Sequence, residues 1–185
     1  MAGAENIVEI DQSTLERARE NDQAAFAAIV RRHQAMVYSI ANNMLRDRDS
    51  AEELAQEVFL QLYRNLDKLE SPAHLTFWLR RTTSHRCIDF FRRSHGRKQI
   101  SLDEAPELSV EANPGDPLLS SLLRRLVASL PDKTRLLITL RFQEDLPPSE
   151  IAEIVGMPVN TVKSQLQRTL VLLGEKLSNL EKVAV

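Results

Sequence analysis

Apolar residues recur at three- and four-residue spacing along almost the whole chain and never alternate strictly, so the pattern predicts helices and no strand. Ser13 with Glu16 reads as a capping box opening a short helix. A second helix, from about Asp22 to Leu45, is expected to bury Phe26, Ile29, Val30, Val37, Ile40, Met44 and Leu45. Arg46-Asp47-Arg48-Asp49 interrupts it. Ser50 and Glu53 read as another capping box, and the helix they open runs to about Leu66. Ser71-Pro72 marks a loop, after which Leu75 to Arg93 is helical through Phe77, Trp78, Leu79, Ile88, Phe90 and Phe91.

From Gly96 to Pro117 the periodicity collapses into polar and turn residues, with Pro106 and Asn113-Pro114-Gly115-Asp116-Pro117 unable to sustain a long helix. A stretch of that length inside a folded chain reads as a linker. Beyond it Leu118, Leu119, Leu122, Leu123, Leu126, Val127 and Leu130 form one apolar stripe ended by Pro131. A helix from about Asp132 to Phe142 follows, then two helical segments parted by Gly156 after Pro147-Pro148. The expectation is an all-α protein: helical domains over 1–95 and 118–185, joined by a flexible acidic linker over 96–117.

With 185 residues, 43% apolar and 27% charged, the chain carries enough material for two cores. The lone Cys87 excludes a disulfide framework and a Cys-rich zinc module. No run reaches the ~18 apolar residues of a membrane span, and the acidic N-terminus does not read as a signal peptide, so a cytoplasmic location is expected. The net charge of −2 hides its distribution. Residues 1–79 balance at −5, residues 80–98 at +6, residues 99–117 at −5 and residues 118–185 at +2. One concentrated basic stretch therefore lies inside a near-neutral chain.

Three segments carry candidate chemistry. Between Pro148 and about Lys176, Ile151, Ala152 and Val155 present one apolar face, Gly156 permits a sharp turn, and Val159 and Val162 begin the next, which is helix-turn-helix spacing. The polar positions left at the start of its second helix are Asn160, Thr161, Lys163, Ser164, Gln165, Gln167 and Arg168, donors and acceptors suited to base edges and phosphates in a major groove. A plain helical hairpin is the bland alternative. In the helix after Ser50, periodicity turns Ala51, Leu54, Ala55, Val58, Phe59, Leu62, Tyr63 and Leu66 inward and leaves Glu53, Gln56, Glu57 and Leu60 outside. A solvated acidic face explains that arc as well as a docking surface does. In RRTTSHRCIDFFRRSHGRK, Arg80, Arg81, Arg86, Arg92 and Arg93 suit phosphates, while Thr83, Ser84 and His85 are short enough for a backbone to approach. Trp78, Phe90 and Phe91 read as packing residues.

At these residues the chain resembles the bacterial RNA polymerase sigma factors of the extracytoplasmic-function type, in the sigma-70 family, from about Asp22 to Leu177. SAEELAQEVFLQLYRNL resembles the family's core-polymerase-binding helix, FWLRRTTSHRCIDFFRR its minus-ten segment, and LPPSEIAEIVGMPVNTVKSQLQR its minus-thirty-five helix-turn-helix. The resemblance implies that Glu53, Leu54, Gln56, Glu57 and Leu60 dock on the clamp coiled coil of the largest polymerase subunit. It implies that the loop from Leu69 to Thr76 captures a flipped base. His74, Arg80, Arg81, Ser84, His85, Arg86, Arg92 and Arg93 would serve the minus-ten element, and Asn160, Thr161, Lys163, Ser164, Gln165, Gln167 and Arg168 the minus-thirty-five major groove. Core RNA polymerase, promoter DNA and an anti-sigma factor are the implied partners. The linker would thread through the polymerase, its acids imitating nucleic acid.

The chain departs from the family pattern at His85, where Asn is usual, at Gln165, Gln167 and Leu170, where Arg, His and Arg are common, and at Pro147, often a Ser cap. Fewer cations in the recognition helix predict a shallower salt dependence. The competing reading is a stand-alone helix-turn-helix regulator on duplex DNA, which accounts for neither the acidic helix nor the linker. No Gly-rich phosphate loop, nucleophile triad, carboxylate dyad or His-x-x-x-His pair suggests an enzyme, a cofactor or a metal site.

Overall fold

A computed structural model of the chain describes residues 10–95 and 117–183, which hold eight α-helices, one short 3-10 turn and no strand. The chain divides into two compact units, Met1–Cys87 and Ile88–Val185. Of the expected linker only Pro117, which opens a helix, lies within the described residues; the rest, with its acids, falls outside them.

The first four helices are α1 (Gln12–Arg19), α2 (Gln23–Leu45), α3 (Arg48–Tyr63) and α4 (Pro72–His95), with the 3-10 turn at Leu66–Lys68. Both expected capping boxes sit too late in the sequence. Asp11, not Ser13, caps α1: its Oδ1 accepts from the Thr14 amide at 2.8 Å and the Thr14 hydroxyl at 2.7 Å. Asp47, not Ser50, caps α3 by accepting from the Ser50 amide at 2.9 Å. In both cases a carboxylate upstream is the stronger acceptor and takes the start. Hydrogen bonds from Thr14 and from Ser50 hold the Asp11 and Asp47 carboxyls below the ordinary range. Asp22, near which α2 was expected to start, caps it by accepting from the amides of Ala24 and Ala25. Arg46, with φ 60°, ends α2 in the left-handed region, its amide donating to the Asn42 carbonyl at 2.9 Å.

Leu15, Ile29, Ile40, Met44, Leu62, Leu69, Leu75 and Leu79 are wholly buried, each worth about 1.5–3 kcal/mol of apolar burial. Phe26 and Val30, expected in this core, are only half-buried, and Tyr63 is exposed. Cys87 is buried, as a small packing residue should be, and Thr83 donates from its hydroxyl to the Leu79 carbonyl at 2.7 Å.

In the second unit α5 (Pro117–Ala128), α6 (Asp132–Phe142), α7 (Pro148–Val155) and α8 (Val159–Val183) enclose Leu136, Leu137, Leu140, Ile151, Ile154, Val162 and Leu166. Pro147 occupies the cap position of α7 and Pro148 its first turn. Neither has an amide hydrogen, so the helix starts with fewer donors to satisfy. Gly156 turns the chain at φ 67°, its amide donating to the Ala152 carbonyl. Ala152 and Val162 are buried as the helix-turn-helix spacing requires. Val159 is not: expected on the apolar face, it is exposed, because it is the first residue of α8, beyond the packed turn. Among the described residues no helix is long and apolar enough to cross a membrane.

Candidate functional site

Glu53, Gln56, Glu57 and Leu60 all lie exposed on α3, Leu60 at 59% of its full area. Leu54 does not join them. At 6% exposed it packs in the core, where periodicity alone had put it. Leu60 stands on the rim of an open groove of about 780 Å³ between α2 and α3, lined chiefly by Phe26, Val30, Ala35, Tyr38, Phe59 and Tyr63. Phe26 and Tyr63 meet edge to face at 5.2 Å, and the Tyr63 hydroxyl donates to Asn21 Oδ1 at 3.2 Å, which fixes one wall. The α2 half of this groove was missed in the sequence. Its signal was an apolar stripe on α2 wider than one buried seam, with Phe26 and Val30 four residues apart.

On α4, Arg81, His85, Arg92 and Arg93 are exposed, and the spacing of Arg81, His85 and Arg92 puts those three on one side of the helix. Ser84 is wholly buried in this structure, as is Thr83. Arg86 turns toward α3. Its Nη1 donates to Glu57 Oε2 at 2.8 Å, while Nε and Nη2 donate to Gln61 Oε1 at 3.2 and 2.9 Å. Gln61 was not singled out in the sequence, and it is what holds this guanidinium.

Arg80 is half-buried and lies near His33 of α2. Burial first, and then the charges of Arg32 and Arg80, push the His33 imidazole down to about 4, so it stays neutral under the basic face. At the start of α4, His74 Nδ1 accepts from the Glu70 amide at 3.3 Å while its own amide donates to Ser71 Oγ at 3.2 Å. The two bonds tie Glu70 and Ser71 to the first turn of α4, which starts at Pro72, so Pro72 to Thr76 of the expected loop are helical.

On α8, Asn160, Lys163, Gln167 and Arg168 are exposed and Thr161, Ser164 and Gln165 half-buried, a mixed polar face opposite Val162 and Leu166. Ser164 donates to the Asn160 carbonyl at 2.8 Å, so its hydroxyl proton is already engaged within the helix.

Known proteins match this chain along most of its length. Residues 29–97 match the family description "Sigma-70 region 2" and residues 120–173 "Sigma-70, region 4". The ECF RNA polymerase sigma-E factor of Escherichia coli (strain K12) is 32% identical over 184 residues, covering 92% of this chain and 95% of that protein. The ECF RNA polymerase sigma factor SigW of Bacillus subtilis (strain 168) is 29% identical over 179 residues, covering 90% and 96%. Among solved structures, the sigma factor RpoE in complex with the anti-sigma factor NepR from Bartonella quintana matches with a TM-score of 0.70 at 18% identity, covering 83% of this chain and 96% of that one. CnrH in complex with the cytosolic domain of CnrY matches with a TM-score of 0.67 at 19% identity, covering 92% and 99%. Those two structures share the fold.

Proposed function

The chain belongs to the extracytoplasmic-function RNA polymerase sigma factors of the sigma-70 family, and from that premise we propose how its surfaces divide the work. It binds core RNA polymerase and directs promoter-specific transcription initiation. The observation that carries this is the ordered pair of family matches, each lying on a separate helical stretch with its own exposed polar face.

The exposed arc Glu53, Gln56, Glu57 and Leu60 docks on core polymerase. Glu53, and Glu57 shared with Arg86, lie on the same helix as one side of an open apolar groove and favour a partner helix with basic and apolar sides. Arg81, His85, Arg92 and Arg93, with Arg80, take the phosphates and bases of the minus-ten element, and the segment from Leu69 to Thr76, a short turn running into the first residues of α4, receives a base turned out of the stack. Holding such a base offsets the few kcal/mol of unstacking, so melting needs no nucleotide hydrolysis. Asn160, Thr161, Lys163, Gln165, Gln167 and Arg168 read the minus-thirty-five groove, with domains of 1–95 and 118–185 joined over 96–117. None of these steps needs chemistry on a substrate: the chain acts by binding.

An anti-sigma factor is the expected regulator, supported by the fold shared with the sigma factor RpoE, which was solved in complex with the anti-sigma factor NepR. Occlusion of the groove would deny polymerase its docking surface. The same reading puts the chain in the cytoplasm, with the transcription machinery.

Transcription with purified core polymerase on a library of randomised promoters tests this directly. Two enriched motifs, upstream and at the melting site, are expected. Products indistinguishable from core polymerase alone would sink the reading, and tight binding of the isolated chain to duplex operators would favour a stand-alone regulator.

A further inference from the structure

Three side-chain contacts run from α1 to the segment ahead of α4. Arg19 donates from Nε to the Leu66 carbonyl at 3.3 Å and from Nη2 to the Leu69 carbonyl. Gln12 donates from Nε2 to the Glu70 carbonyl at 3.3 Å. Leu69 is wholly buried, and on the other side His74 Nδ1 accepts from the Glu70 amide while the His74 amide donates to Ser71 Oγ. Backbone carbonyls in a loop normally bond to water or to neighbours in the chain. Here the carbonyls of Leu69 and Glu70, and that of Leu66, which also accepts from the Leu69 amide, take donors from two side chains of a helix more than forty residues away. A guanidinium suits the task, because its donors diverge in a fixed fork and reach two acceptors at once.

We propose that Arg19, assisted by Gln12, is a positioning residue for promoter melting, holding the turn from Leu69 to Ser71 that leads into α4 in the shape that receives the flipped base. The inference rests on the assignment of that loop to base capture. A loop that had to order itself on meeting the base would deduct that cost from the interaction that keeps the strands apart. The α1 latch removes it beforehand. Helix α1 thus acts on the promoter without touching it.

The test uses the full chain with core polymerase on linear promoters in which each minus-ten position is changed in turn, reading the rate of open-complex formation. Arg19→Met keeps the apolar stem and removes every donor. It is expected to cut the ratio between the best and worst base at the captured position by about tenfold, with core affinity and minus-thirty-five preference unchanged. Arg19→Lys, reaching one carbonyl, keeps an intermediate ratio. A role in stability alone would slow all templates alike and leave the ratio untouched, and that result in a folded Arg19→Met protein overturns the proposal. His74→Ala separates the two levels. A ratio flattened by His74→Ala but not by Arg19→Met removes the latch alone, and a ratio unmoved by either removes base capture by this loop and the latch with it.

Discussion

Arg86 of α4 and Glu57 of α3 form an ion pair, Nη1 to Oε2 at 2.8 Å, across the junction between the helix proposed for polymerase docking and the helix proposed for the minus-ten element. Both groups are partly exposed, so the pair itself contributes only about 0.5 kcal/mol. The two bonds from Arg86 to Gln61 add about 1 kcal/mol. A urea double-mutant cycle on Arg86→Ala and Glu57→Gln is expected to give a coupling near that ~0.5 kcal/mol, with Arg86→Ala alone costing about 1–2 kcal/mol because Gln61 also loses its donors. A coupling of zero would mean the two helices are fastened by Gln61 alone.

Leu60 and Leu54 lie six positions apart on α3 and should fail in opposite ways. Leu60→Asp, on the exposed rim, is expected to leave the melting temperature within a few degrees of the native value and to lower core-polymerase affinity at least tenfold, as for an apolar anchor beside a groove. Leu54→Ala opens a hole in the core and should cost about 2–5 kcal/mol of stability. Calorimetry and a polymerase-binding titration on both variants check the pair.

Ser84 and His85, adjacent in sequence, are assigned opposite roles by burial. Among the described residues the buried Ser84 Oγ has no hydrogen-bond partner, so Ser84→Ala is expected to stabilise the fold by about 1 kcal/mol and leave the minus-ten preference alone. His85→Ala, on the exposed face, should change that preference with the melting temperature unmoved. A Ser84→Ala protein with altered base preference would show that α4 turns when it meets DNA.

The pH dependence of stability should carry the mark of His33. Its folded value of about 4 lies below the 6.5 of an unburied imidazole, so the unfolded chain takes up the proton first. Its contribution is therefore complete above pH ~6.5 and is lost as the pH falls toward ~4. The caps at Asp11, Asp22 and Asp47, whose carboxyls are held low, let go only at still lower pH, so the windows separate. The melting temperature is expected to drop by roughly 5 °C between pH 6.5 and 4.5, and His33→Gln should flatten that slope. Equal slopes would assign the loss to other groups.

Periodicity alone made most of this fold legible, because buried stripes on helices are long signals that local errors do not erase. The division of α3 into an inner and an outer face was readable down to Leu54 and Leu60. Helix starts were not, since two acceptors competed at each, and a Ser-x-x-Glu pattern says nothing about an Asp standing two or three residues upstream. The exposure of candidate polar residues was legible where the helical pattern alone fixes it, as at Arg81 and Lys163. It was not where tertiary contacts redirect the side chain. Arg86 looks like one more phosphate ligand until Gln61 and Glu57 are seen around it, and Arg19 looks like an ordinary last-turn cation until the carbonyls of Leu66 and Leu69 come into reach. The half-buried Phe26 and Val30 mislead for a related reason: an apolar position that faces a groove has the same pattern as one that faces a core.

A Cβ built on Gly156 meets nothing within 4 Å, although the residue sits at φ 67°. The demand at this corner is thus on torsion and not on room. Asn, which tolerates the left-handed region, should serve there at a cost of about 1 kcal/mol or less. A lineage carrying this domain is free to wander at that position by small steps, whereas Ala152, packed under the crossing helix, leaves its descendants no such latitude.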